Sequence, residues 1–172
     1  MKRILLTGAL FVLSAFFCQA QDDDFVSGLK GKLENNRVLF DFRYTVNAEV
    51  PVEGSGTAIL QDDCFFAVSG STKIFCDGKS RWTLDESCHE AYVENCGSAK
   101  DFLEQPEQYL ANVYDFQTSA DSFKGIYADP VTGVEATFVI SGILCLPKSS
   151  DKSLFLVSEE TLGEGWVVTD LR

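Results

Sequence analysis

The chain is short of positive charge, of histidine, and of any long apolar run beyond its first twenty residues. It carries 26 acidic residues against 14 basic ones, for a net charge of −12. Phosphate backbones repel such a chain, which argues against nucleic acid as a partner, and anionic membrane surfaces do not attract it. The single histidine, His89, sits between Cys88 and Glu90. Read as a strand, that stretch points Cys88 and His89 to opposite faces, which rules out a Cys/His nucleophile pair. A zinc site from Cys88, His89 and Cys96 lacks a fourth ligand at the usual spacing. GxSxG, HExxH, phosphate-cradling glycine loops, dinucleotide fingerprints and calcium loops are all missing, and Asp22 to Asp24 and Asp62-Asp63 read as cap and turn acids. No cofactor, metal or catalytic residue is expected. Two carboxylates paired in space, as glycoside hydrolysis uses them, are invisible to such a scan.

The first twenty residues, MKRILLTGALFVLSAFFCQA, read as a secretory signal. Lys2 and Arg3 form the positive start, Ile4 to Phe17 the apolar stretch, and Cys18-Gln19-Ala20 a cleavage site. The expected mature chain, 21–172, is a single periplasmic domain. The alternative is lipid anchoring at Cys18, but that processing wants a small residue in place of Phe17. The apolar run is also shorter than the ~20 residues a membrane span needs. Removing Lys2 and Arg3 takes the net charge from −12 to −14.

Periodicity divides the rest. Phe25, Val26, Leu29 and Leu33 recur at helical spacing behind the aspartate cap, which predicts a short amphipathic helix fraying at Asn35-Asn36. The period then changes to two. In VLFDFRYTV, residues Val38, Phe40, Phe42, Tyr44 and Val46 share one strand face. Short strands at GTAIL, CFFAV, TKIFC, SRWTLD and CHEAYV follow, joined by turns of a few residues, which predicts an antiparallel meander. The stretch SAKDFLEQPEQYLANVY has helix-like spacing through Phe102, Leu103, Leu110, Val113 and Tyr114, broken at Gln105-Pro106. Strands resume with FKGIY, VEATFVIS, ILCL, SLFLV and WVVTDL. The expected fold is α+β, mainly antiparallel β. A sheet of about ten strands must curl, and the N-terminal helix and the mid-chain helices are the obvious cover for its concave face.

Five cysteines remain after cleavage: Cys64, Cys76, Cys88, Cys96 and Cys145. An odd number leaves at least one thiol unpaired within the chain. A three-residue SGS turn would set Cys64 opposite Cys76, close enough to bridge, whereas a two-residue turn would put them on opposite faces. Cys88 with Cys96 is the other candidate pair. In CDGKSRW (residues 76–82), Asp-Gly is a hairpin signal, so its charged residues mark a turn and Trp82 is what the stretch offers an interior.

The mature chain holds eleven Phe, five Tyr and two Trp. A thick core accounts for that bulk about as well as an aromatic-lined cavity does. The ligand most compatible with such a cavity is an acyl chain or similar lipid, at about 0.8 kcal/mol per buried CH₂.

The segment GSGTAILQDDCFFAV followed by STKIFCDGKSRWTL resembles the LolA-type periplasmic lipoprotein carriers. The match at motif level covers residues 54–85: a small-residue strand Gly56 to Leu60, aromatic Phe65-Phe66, apolar Ile74-Phe75, the turn Asp77-Gly78-Lys79, then Trp82. The order helix, meander, helical lid, further strands is also similar. The resemblance implies an unclosed β-barrel with a lid. It also implies a shuttle that takes an acylated lipoprotein from an inner-membrane transporter, shields the acyl chains, and passes them to an outer-membrane acceptor. Where those carriers have an Arg-Pro pair, this chain has Gln61-Asp62-Asp63, so the lid-fastening arginine is absent, with Arg43 or Arg81 as substitutes.

The first expectation is thus a monomeric carrier of lipid or lipoprotein acyl chains. Its lining would come from Phe40, Phe42, Tyr44, Phe66, Ile74, Trp82 and Phe138, and its lid from Leu29, Phe102 and Leu110. The alternative is a sensor or interaction domain on the same scaffold that transports nothing. The third is a hydrolase using surface carboxylates.

Overall fold

A computed structural model describes residues 31–96, 112–158 and 160–172. Residues 31–35 are helical. This helix ends where Asn35 and Asn36 donate their side-chain amides to the carbonyls of Gly31 and Lys32, which satisfies acceptors that a helix end leaves open. The signal stretch 1–20, the aspartate cap and Leu29 lie outside the described residues, as do Phe102 and Leu110.

Among the described residues ten strands form one sheet: β1 (Asn36–Asn47), β2 (Val52–Gln61), β3 (Cys64–Ser69), β4 (Thr72–Cys76), β5 (Ser80–Asp85), β6 (Glu90–Asn95), β7 (Val113–Thr118), β8 (Phe123–Ala128), β9 (Glu135–Pro147) and β10 (Val167–Asp170). Their order in space is β10-β6-β5-β4-β3-β2-β1-β9-β8-β7, and the sheet is not closed. From β1 to β6 it is the expected antiparallel meander.

Several expectations are corrected. WVVTDL does supply a strand, but β10 runs parallel to β6. After β9 the chain passes residues 148–166 before pairing again, and a crossover of that length permits a parallel neighbour. VEATFVIS and ILCL are one strand, β9. Gly142, at φ +63°, absorbs one extra residue as a bulge between the pairs Leu39 with Leu144 and Asp41 with Ser141, so the strand bends without ending. SLFLV is not a strand: Ser153–Phe155 is a 3-10 turn, and Phe155 is buried. Val113 and Tyr114, expected at the end of a helix, open β7. Cys88 and His89 lie in the turn before β6, with His89 at φ +54°, so the strand argument about their faces does not apply.

Residues opposite one another in the ladders share a face, and this sorts the side chains. One face carries Phe40, Phe42 and Tyr44 of β1, Ala58 and Leu60 of β2, Phe65 and Ala67 of β3, Ile74 of β4, Phe123 of β8, and Phe138 and Ile140 of β9. All are buried, and together with Leu33 of the helix they form the main core. The other face carries Phe66, Phe75, Trp82, Leu84 and Ala91, against which Val157, Leu162 and Trp166 pack. Three ring positions on the first face depend on glycine. Gly56 is opposite Phe42, Gly54 opposite Tyr44, and Gly125 opposite Phe138, and a Cβ on any of them would meet the facing ring within 3 Å. The small-residue run of β2 is therefore the floor on which the aromatic row of β1 lies.

A polar clamp holds the chain beyond β9 against the second face. Gln61, only 2% exposed, accepts from Arg37 Nε (3.0 Å) and from the Ser149 backbone N–H (3.0 Å), and donates to the Ser149 carbonyl (2.9 Å). Arg37 donates in addition to the Asp151 carbonyl and stacks over the Phe155 ring at 5.7 Å.

Candidate ligand-binding face

Tyr44 of β1 and Tyr92 of β6 line the same cleft, of about 390 Å³. Five strand spacings separate β1 from β6, roughly 24 Å in a flat sheet. The two residues can share one cleft only because the sheet curls around this face, which makes it the concave one.

Of the seven side chains expected to line a ligand site, the structure places Phe40, Phe42, Tyr44, Ile74 and Phe138 together on the concave face. Phe66 and Trp82 are on the convex face, in the smaller cluster. Phe66 faces Ile59 of β2, which faces Leu39 of β1, away from the aromatic row. The β3–β4 turn is the two-residue Gly70-Ser71, with Ser69 opposite Thr72, so Phe66 faces Phe75, and Phe75 in turn faces Trp82. A three-residue turn would have set Phe66 opposite Ile74.

The same register corrects the cysteines. Neither Cys64 with Cys76 nor Cys88 with Cys96 is bonded. Cys76 pairs with Cys96, Cα atoms 6.7 Å apart, across the end of β5. Cys64 is a buried free thiol whose pKa is pushed up by burial, Cys145 is an exposed free thiol, and Cys88, also exposed, donates its thiol to the Asp85 carbonyl (3.9 Å). The turn of CDGKSRW lies beside this bridge. Asp77 Oδ1 accepts from the backbone N–H groups of Lys79 (2.8 Å) and Ser80 (2.7 Å), so it shapes the hairpin, while the Lys79 carbonyl accepts from Cys96 N–H. Arg43 is exposed on the convex side, where it cannot fasten anything over the concave face. Arg81 does belong to the concave side, with its side chain 11% exposed and 2.6 Å from Glu94.

The concave face has two halves. Around β9, β1 and β2 it is aromatic and filled by its own side chains. Toward β4, β5 and β6 it becomes the cleft, whose lining includes hydroxyls of Ser69, Thr72 and Thr83 and the carboxylates of Asp85 and Glu90, with no Lys, Arg or His. Asp85 and Glu90 are direct partners across the β5–β6 ladder. Asp85 Oδ1 accepts from Ser87 Oγ (2.5 Å), Ser87 N–H (3.0 Å) and Ser71 Oγ (3.3 Å), and the Ser87 bonds above all hold its pKa below the ordinary carboxylate value. Tyr92 donates its hydroxyl to Glu90 Oε2 at 2.7 Å. At the other wall, burial raises the pKa of Tyr44, partly offset by a hydrogen bond with Ser69. Among the described residues no three of His, Cys, Asp and Glu converge well enough to hold a metal ion.

Sequence reasoning passed over this polar half. Its signal was the alternation in SRWTLD and EAYVEN, which puts Thr83 and Asp85 on one face and Glu90 and Tyr92 on one face. Only the ladder shows that these are the same face.

No protein-family model matches the chain, and no curated protein matches it. Among the described residues no helix is long and apolar enough to cross a membrane.

Proposed function

We propose that this protein is an exported, non-enzymatic carrier that binds the acyl chains of a lipoprotein or another lipid along its concave face. The observation that carries the reading is the aromatic row Phe40, Phe42, Tyr44 and Phe138 on the inner side of a curled sheet that stays open. Glycines beneath three of those rings let them lie flat along the sheet. The cleft opens on the same side and would take the polar end of an amphiphile, whose chain would have to enter among rings that are only 2–4% exposed. A shuttle also has to meet a donor and an acceptor at the inner and outer membranes.

The test is native mass spectrometry of the protein purified from its own compartment. Acyl-bearing adducts that disappear in Tyr44→Asp are the expected result. A protein free of any acylated species, with no uptake of a fatty-acyl probe, would remove the carrier reading. Trp82 and Trp166 both belong to the convex cluster, so their emission should stay unchanged as the probe binds.

One observation bears on a hydrolase: Asp85 and Glu90 face each other in a cleft. Two-carboxylate hydrolysis needs one acid protonated while the other is ionised. Here serine donors favour ionised Asp85, and Glu90 accepts the Tyr92 hydroxyl, an arrangement that suits binding better than acid catalysis.

A further inference from the structure

The cleft at the polar end of the concave face has a ligand chemistry of its own. We propose that it binds a polyhydroxylated group, a sugar or polyol, either free or as the head of the amphiphile whose chain lies along the aromatic row. The second form rests on the carrier reading, and the first does not.

The argument is one of matching donors, acceptors and surfaces. At about 390 Å³ the cleft lies at the small end of ligand-sized cavities, which run from roughly 300 to 1,000 Å³. Its lining includes two tyrosines, the half-buried Tyr92, an aromatic ring of the kind that packs on the C–H surface of a sugar, and Tyr44, which is 4% exposed. Between them Thr83 and Thr72 supply hydroxyls that donate and accept, and Asp85 and Glu90 supply oxygens that only accept. A polyol uses every one of these groups. An anionic head would meet the Asp85 and Glu90 carboxylates and no cation in the lining. A quaternary ammonium would satisfy the charge but leave the hydroxyls without partners. A bare alkyl chain would desolvate the whole polar floor for nothing.

The experiment follows backbone amide shifts by NMR on the intact mature protein, with four probes: glucose, octyl glucoside, octyl sulfate and octyltrimethylammonium. Glucose and octyl glucoside should both move the amides of Thr83, Asp85, Glu90 and Tyr92. Glu90→Gln and Asp85→Asn should each weaken the glucoside by about tenfold, the loss of one charge-assisted hydrogen bond. If octyl glucoside binds at least tenfold tighter than glucose and also moves Phe42 and Ile140, the polyol is a headgroup. Equal affinity of the two identifies a free sugar.

Octyl sulfate moving only the Phe42 and Ile140 amides, with both sugar probes silent, would overturn the cleft assignment and leave the carrier reading standing. Octyltrimethylammonium binding the cleft more tightly than octyl glucoside would overturn the polyol class. Glucose binding without any octyl-chain contribution would sustain the cleft and remove the carrier, and silence from all four probes would remove both. The shift map of the unmodified protein decides these outcomes even where a variant fails to fold.

Discussion

Phe42 and Gly56 are cross-strand partners, and a single added carbon on Gly56 would stand 2.7 Å from the Phe42 ring and 1.8 Å from the Val68 carbonyl oxygen. The second contact is with backbone, which cannot swing aside. Gly56→Ala should therefore cost at least the 1–3 kcal/mol usual for overpacking. Gly54→Ala should cost less, because its close contacts are all with the end of the Tyr44 side chain. Urea unfolding of the two variants checks the order, and equal losses would count against the distinction.

The Cys76–Cys96 bridge closes a 20-residue separation. Chain entropy puts its worth at roughly 3 kcal/mol, so Cys76→Ser/Cys96→Ser should lose about that much in denaturant. Alkylation of the native protein should reach Cys88 and Cys145 quickly. Cys64 should be modified only as the chain unfolds, since it is 3% exposed. Fast native labelling of Cys76 or Cys96 would disprove the pairing.

Gln61→Leu keeps most of the volume of a buried side chain and removes its three hydrogen bonds. The Ser149 N–H and carbonyl and the Arg37 Nε then lose their partner. Unsatisfied groups of this kind cost about 1–3 kcal/mol each when they stay buried. The expected outcome is a loss of about 2–3 kcal/mol, because relaxation lets water reach some of them, with faster amide exchange through residues 149–157. Unchanged exchange there would show that the clamp does not hold the segment.

Asp85 titrates below its ordinary value of 3.8 because Ser87 donates to it twice. A carboxyl whose pKa is depressed by folding adds stability that is present above the unfolded pKa and lost as pH falls through the folded one. Ser87→Ala should raise the Asp85 pKa toward 3.8 and flatten that part of the acid limb by lowering stability near neutral pH, with little change below the folded pKa. Carboxyl-carbon NMR titration measures the shift directly, and no upward movement would refute the assignment.

Much of the sheet was legible because period-two alternation is a local property. VLFDFRYTV announced β1 and its buried face from residue types alone, and the closely spaced strands after it could pair only as antiparallel neighbours. The errors arose where a non-local choice intervened. VEATFVIS and ILCL read as two strands but are one, bulged at Gly142, because β1 continues beside it and keeps the ladder going. SLFLV has strand composition, but Phe155 is buried in a 3-10 turn beneath Arg37.

The sequence by itself determined the alternation, the hairpin turns and which side chains within each strand stand together. Tertiary structure alone decided how those sets combine from strand to strand. The β3–β4 turn has two residues, and that parity sends Trp82 to the convex face beside Phe66 and separates Cys64 from Cys76. Curling then brings Tyr44 and Tyr92 to the walls of one cleft. Alternation is set by backbone geometry within a strand, whereas register and curl are set by packing between strands, which no single strand encodes.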